Sequence, residues 1–404
     1  MARKISQLEV HVSEHESGLL TRADAWNFTY ASGARYDVAL TMPHTTLTYS
    51  HNAILPPFDQ CLPEMDIGLF PGALWKLIQP DELGLLWASG QKRLGRLRFR
   101  EPGQPLDQSA GLRISPGELS NISDGEAFFL EAISQLVNIP GVAGVQPKTL
   151  IRLSDVQSPI ATIDTHILKA CKADFPWVTV VESLCLKAAQ RCGIDAAAHQ
   201  LSGDGRLIAV ERFDLDAAGH PIGFDELCAL SGRLSVEKYD SSYEGLIKTA
   251  RAFLPAQTRG AELLKLFKHI AFCYAIENGD AHWKNFGLLY EQPEAARLSP
   301  AYDLVTTTCF PALTKDTPAL TLGGRKSWDG AFRELKRLGI STCSLTSKQI
   351  NEVFEQIVDG LSDMDQSISD AQSTYPQAAE SLTRMKQAWD RGQVRLIQEA
   401  KLNR

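Results

Sequence analysis

Residues 263–290 read "LLKLFKHIAFCYAI", then "ENGDAHWKN", then "FGLLY". A short polar stretch carrying Asp280, His282, Lys284 and Asn285 lies between two runs that must be buried. The first run is interrupted by Lys265 and Lys268, which suits a buried helix better than a membrane span. A chain of this kind has to fold so that a carboxylate, an imidazole, an ammonium and an amide gather at the edge of a hydrophobic core. Both flanks hold that loop rigid, and rigidity is what chemistry on a bound ligand requires.

The totals set the frame. With 404 residues, 44% hydrophobic and 22% charged, the chain supports two or three cores of a globular protein. A net charge of −7, with no lysine- or arginine-rich block, argues against direct nucleic-acid binding. The opening "MARKISQLEV" lacks the apolar stretch of a signal peptide, and no run of about 18 uncharged apolar residues occurs, so no membrane partner and a cytoplasmic location are expected. Eight cysteines are scattered without a CxxC pair, which excludes a thiolate zinc site and a disulfide framework.

The order of elements predicts an α+β chain. Residues 6–100 hold short strand-like pieces such as "YDVALTM" and "LGRLRFR", and the prolines of "NAILPPFDQCLPEMDIGLFPG" exclude a regular element there. "EPGQPLDQS" reads as a linker. A strand-rich section follows, with helices over "EAFFLEAISQLV" and over "VESLCLKAAQRCGI", the latter stopped by Gly193. Beyond residue 225 the pattern is helical, most clearly in "SKQINEVFEQIVDGLSDM". A strand-rich lobe followed by a larger helical body is compatible with a two-lobed phosphotransferase and with other α+β folds.

The polar residues sharpen this. Asp280 and Asn285 have the D-x-x-x-x-N spacing in which an aspartate takes a hydroxyl proton and an asparagine holds Mg²⁺ beside the same phosphates. Asp303, in "LSPAYDLVTTT", supplies the anionic ligand that Mg²⁺ needs in addition to an amide. Upstream, "GVAGVQPK" places Gly141 and Gly144 where backbone N–H groups can approach phosphates, and Lys169 ends a strand soon after. Glu182, on the next helix, can pair with that lysine, and "LIAVERFD" can offer backbone hydrogen bonds to an adenine edge. Taken singly, each piece also fits a plainer role: an Asx-type turn at Asp280, a turn or N-cap at Asp303, a hairpin at the glycines, a solvated helix residue at Glu182. In sequence they run glycine turn, strand lysine, helix glutamate, hinge, D-x-x-x-x-N, metal aspartate.

The same stretches carry a family resemblance. "GVAGVQPKTLI", "DTHILK", "VERFD", "NGDAHWKNFGLL" and "LSPAYDLV", with "PPFDQCLPEMDIG" and "LGRLRFRE" toward the N-terminus, resemble the HipA family of serine/threonine kinases, toxins of bacterial toxin–antitoxin pairs. The resemblance implies a two-lobed, protein-kinase-like fold: a small N-terminal subdomain over 1–108, a strand-rich ATP lobe over 109–224 and an all-helical catalytic lobe over 225–404. It implies Asp280 as catalytic residue, Asn285 and Asp303 as Mg²⁺ ligands, and Lys169 on the ATP phosphates. The ATP site would be completed by the loop Gly141, Val142, Ala143, Gly144 and Val145 with Lys148, by Glu211 and Phe213 of the hinge, and by His282 and Lys284, His282 bracing the catalytic loop. Implied partners are a HipB-like DNA-binding antitoxin and a protein substrate, as aminoacyl-tRNA synthetases are for family members.

Two departures stand out. Gly141 occupies the place of a serine that many members autophosphorylate, so that switch is expected to be absent or moved, with Ser154 as one alternative. "LPEM" stands where "LPEG" is usual, which weakens antitoxin contacts inferred from the family. The expectation is an ATP- and Mg²⁺-dependent protein kinase. The alternatives are a small-molecule phosphotransferase of the aminoglycoside-kinase type and a degenerate kinase acting as an antitoxin-bound corepressor.

Overall fold

The computed structural model describes residues 4–62, 81–89, 94–105, 112–135, 148–153, 164–171 and 174–402. At the N-terminus, period-two alternation builds a five-stranded sheet of β1 (Gln7–Val12), β2 (His15–Arg22), β3 (Trp26–Tyr30), β4 (Thr48–His51) and β5 (Leu97–Arg100), in the order β4-β3-β2-β1-β5. Leu8, Val10, Leu20, Phe28 and Phe99 form its buried face, covered by α1 (Pro56–Asp59) and α2 (Glu82–Ser89). Two expectations fail here. "YDVALTM" is not a strand: it wraps the buried Tyr30, whose hydroxyl donates to the Met42 carbonyl and accepts from the Val38 amide. Pro56 and Pro57 do not exclude a helix but start one, because a helix leaves its first amides unbonded anyway.

The second sheet comprises β6 (Leu112–Ile114), β7 (Lys148–Leu153), β8 (His166–Ala170), β9 (His199–Leu201) and β10 (Leu207–Glu211), ordered β6-β7-β8-β10-β9. Leu168 and Ala170 of β8, with Leu207 and Ala209 of β10, pack toward α3 (Pro116–Asn121) and α4 (Gly125–Gln135) through Leu119 and Phe129. The intervening Ile208 and Val210 join the other core, with α5 (Val178–Arg191). Lys169 lies between Leu168 and Ala170 and pairs with Ile208, so the pleat sends it to the α5 side. The α5 helix ends as the sequence predicts, with Gly193 in the left-handed region at φ +70°.

The largest core belongs to α6 (Leu227–Leu230), α7 (Tyr243–Phe253), α8 (Arg259–Ala275), α9 (Ala331–Ser341), α10 (Ser347–Ser362), α11 (Asp365–Thr374) and α12 (Ala379–Ala400). This lobe is not all-helical. A small sheet of β11 (Gly223–Glu226), β12 (Gly287–Tyr290) and β13 (Arg297–Leu298) is set into it, in the order β11-β12-β13. Every β12 side chain is buried, so its four residues show no alternation and read like the end of a buried helix. The α12 helix meets the end of α8 so closely that a Cβ on Gly392 would lie 1.9 Å from the Ala275 carbonyl oxygen. No helix among the described residues is long and apolar enough to cross a membrane. All eight cysteines are free thiols.

The N-terminal sheet is joined to this lobe through a buried carboxylate. Asp225 accepts hydrogen bonds from the Leu40 amide at 2.9 Å, the Gln60 side chain at 3.1 Å and the Tyr290 hydroxyl at 2.9 Å. Arg96 lies 4.9 Å from the centre of the Tyr290 ring. Burial without a formal countercharge at bonding distance pushes the Asp225 carboxyl up from its ordinary range.

Candidate active site

The lysine on β8 meets two carboxylates. Lys169 Nζ donates to Glu182 Oε1 on α5 and to Asp303 Oδ1 on the loop after β13. Burial alone would disfavour its charge, but Asp303 and Glu182 outweigh burial and hold the ammonium protonated well above its usual range. The pair spans 13 and 134 residues of sequence, so strand, helix and distant loop converge on one nitrogen.

Asp303 has φ +52°, a conformation that costs a non-glycine residue about 1–3 kcal/mol and persists only when its surroundings impose it. Here Ala301 pairs with Ala196 on one side, and Thr306, Thr307 and Thr308 are buried on the other. Asn285 Nδ2 donates to the Asp303 carbonyl at 3.5 Å, which leaves the amide oxygen for a ligand. An amide oxygen and a carboxylate side by side are the hard donors that suit Mg²⁺.

Asp280 sits on the intervening loop with its carboxylate about half exposed, 53%. The Asx-type turn here is made by Asn278, whose Oδ1 accepts from the Asp280 amide at 3.1 Å, so the Asp280 side chain is not used for it. Thr307 stitches the two loops together. Its Oγ accepts from the Gly279 amide at 2.9 Å and donates to Asp316 at 2.6 Å. A Cβ at Gly279 would lie 2.0 Å from Asp316 Oδ2, which is why that position is glycine.

The other expected residues are distributed as follows. His282 is buried with its ring 5.0 Å from that of Tyr239 and its Nε2 3.9 Å from Asp280 Oδ1. Lys284 is buried, its ammonium 3.3 Å from Ser235 Oγ and 3.8 Å from Glu226. At the hinge, Phe213 stacks on Tyr302 at 5.1 Å, beside Asp303, and Tyr302 donates to the Lys284 carbonyl at 2.7 Å. Glu211 is the exposed last residue of β10, its amide bonded to the Ala198 carbonyl at 2.7 Å. Between them Arg212 forks onto the buried Asp214, which also accepts from the Gly95 amide of the N-terminal region. Lys148 opens β7 opposite Lys169. The loop Gly141–Val145 and Ser154 lie outside the described residues.

A buttress behind the Asp280–Asn285 loop is not legible in the sequence. Glu277, buried and at φ +52°, accepts from Arg391 at 2.7 Å, Arg395 at 2.5 Å and Thr308 at 2.6 Å. Burial alone would raise its carboxyl, but those three donors more than offset it and hold Glu277 below its ordinary value. Trp389, also on α12, donates to Thr306 Oγ at 2.7 Å. Arg391 and Arg395 lie more than a hundred residues from Glu277 in sequence and Thr308 lies 31 away, and no local motif signals them. Tyr239, which donates to Asp280 Oδ1 at 2.6 Å, was likewise unmarked.

A strand lysine tied to a helix glutamate and to the aspartate of a distant loop, beside a D-x-x-x-x-N loop, defines a kinase-like protein. Comparison with known proteins agrees. The model of the HipA N-terminal domain matches residues 8–100, and that of the HipA-like C-terminal domain matches residues 141–364. The chain belongs to the HipA family. It is 27% identical over 311 residues to "Putative kinase Y4mE" of Sinorhizobium fredii, covering 71% of this chain and 72% of that one. A second protein of that organism, Y4dM, is 25% identical over 298 residues, covering 68% of each. Among solved structures, Shewanella oneidensis MR-1 HipA, in complex with HipB and its operator DNA, superposes with a TM-score of 0.71 over 98% of this chain and 100% of that one. At 16% identity this likeness speaks for the fold alone.

Proposed function

We propose that this protein is an ATP- and Mg²⁺-dependent serine/threonine-protein kinase, the toxin of a toxin–antitoxin pair. The observation that carries the reading is the convergence of Lys169, Glu182 and Asp303, with the Asp280–Asn285 loop stitched to the Asp303 loop through Thr307. Lys169, held charged, binds the nucleotide phosphates, and Asp303 and Asn285 hold the metal. Bound Mg²⁺ would offset negative charge on the triphosphate. Phe213 and the hinge backbone line the base. Asp280 takes the proton of an acceptor hydroxyl as its oxygen bonds to the γ-phosphorus, and the bond from that phosphorus to the ADP oxygen breaks. Positioning and charge neutralisation then supply the catalysis, without a covalent enzyme intermediate. A HipB-like DNA-binding partner is proposed on the strength of the Shewanella complex.

The test is transfer from γ-labelled ATP in a cell extract. A discrete labelled protein band that appears with wild type and vanishes when a chelator removes divalent metal supports the reading and identifies the acceptor. Label on a small molecule replaces it with a metabolite phosphotransferase. Failure of the protein to bind Mg-ATP in calorimetry overturns it in favour of a regulatory subunit.

A further inference from the structure

The Tyr239 hydroxyl donates to Asp280 Oδ1 at 2.6 Å, while Oδ2 carries no hydrogen bond among the described residues. A phenol on the carboxylate that is to receive a proton has two physical meanings. It is either a displaceable occupant of the acceptor's place or a fixed donor that sets the carboxylate's orientation. The segment that carries Tyr239 decides between them. Residues 233–240 are tied to the catalytic loop and to the N-terminal subdomain at points before and after Tyr239. The Ser235 amide donates to Asp59 at 2.5 Å, and the Ser235 hydroxyl meets Lys284 at 3.3 Å. Trp283 donates from its backbone amide to the Lys238 carbonyl at 3.2 Å and from its indole to the Asp240 carbonyl at 2.8 Å. The Arg233 guanidinium covers the Trp283 ring at 4.5 Å, Leu234 packs on the N-terminal core, and Ser241 is bonded to Thr321. The Tyr239 ring itself rests edge-on against the buried His282. A segment with bonds on both sides of the tyrosine is a brace, since displacing it would break the packing of the catalytic loop.

Resting on the kinase reading above, we infer that Tyr239 is a positioning residue for phosphoryl transfer: its hydroxyl holds Asp280 Oδ1 so that Oδ2 is presented to the acceptor hydroxyl. Val236, 88% accessible, and the half-exposed Tyr239 ring stand on the same segment. The N-terminal subdomain thereby reaches the catalytic carboxylate through Asp59 and Ser235.

The experiment is steady-state transfer by full-length wild type and Tyr239→Phe, which keeps the ring on His282 and removes only the donor. The expected result is a fall in kcat of about tenfold or more, the size of one hydrogen bond to a charged group, with KM for ATP and the thermal midpoint unchanged. Tyr239→Leu, which removes the ring as well, is expected to fall at least as far. Unchanged kcat in the phenylalanine variant overturns the inference, and a rise in kcat overturns it in favour of a plug. Phosphate found on Tyr239 by mass spectrometry after incubation with Mg-ATP also overturns it, making the tyrosine an acceptor. If wild type transfers no γ-phosphate to protein or water, the kinase reading itself falls and takes the inference with it.

Discussion

Asp280→Asn is expected to lower γ-phosphate transfer by about 10²–10⁴-fold, the range for loss of a positioned general base, while Mg-ATP affinity and folding stay as in wild type. The physical basis is the division of labour in the site. Asp280 is about half exposed, and its side chain supports no turn, since Asn278 makes the local Asx bond. An asparagine keeps the shape and can still accept from Tyr239 through its oxygen, so stability should change by less than about 0.5 kcal/mol. What it cannot do is take a proton. The phosphates and metal are assigned to Lys169, Asn285 and Asp303, none of which touches Asp280 Oδ1 among the described contacts. Single-turnover transfer, calorimetry with Mg-ATP and a thermal melt check the three parts together. A folded, nucleotide-binding Asp280→Asn protein with full transfer would remove Asp280 from the mechanism.

Glu277→Ala is expected to destabilise the protein by about 1–3 kcal/mol at neutral pH, the cost of removing a buried charged acceptor from its donors when the arginines left behind still reach solvent. The carboxylate holds Arg391, Arg395 and Thr308 where α12 meets the end of α8, three residues before Asp280. Its loss leaves two guanidinium groups facing each other and frees the backbone from the positive φ that this packing imposes. The contribution should depend on pH with a definite sign. Because the folded state holds this carboxyl below 4.5, its stabilisation is complete above that value and is lost as pH falls through the lower, folded-state value. Urea midpoints of wild type and Glu277→Ala should therefore differ most at neutral pH and converge in strong acid. An equal gap at both ends would mean that Glu277 acts through packing alone.

The legible parts of this protein are those whose signal is local. A helix over "LLKLFKHIAFCYAI" and another over "VESLCLKAAQRCGI" follow from apolar spacing and from one stop glycine, and both are present as α8 and α5. Lys169 on its strand and Glu182 on its helix meet, as the kinase-like order of strand lysine and helix glutamate allows over 13 residues. The sheet β11-β12-β13 is not legible in the sequence, since a four-residue strand buried on every side has no period to detect. The meaning of a proline depends on whether the residues after it turn into a helix, as they do after Pro56 and Pro57.

By itself the sequence determined the family, the inventory of ionisable groups and their order along the chain, because side-chain chemistry and short-range spacing are written residue by residue. Only the tertiary structure decided which of those groups meet. It brought Asp303 onto Lys169 across 134 residues, set Arg391 and Arg395 behind Glu277, and placed the Tyr239 hydroxyl on Asp280. Such contacts are chosen by the packing of whole elements against a shared core. A change of one residue in the docking of α12 or of the 231–242 segment would separate them while leaving every local motif intact.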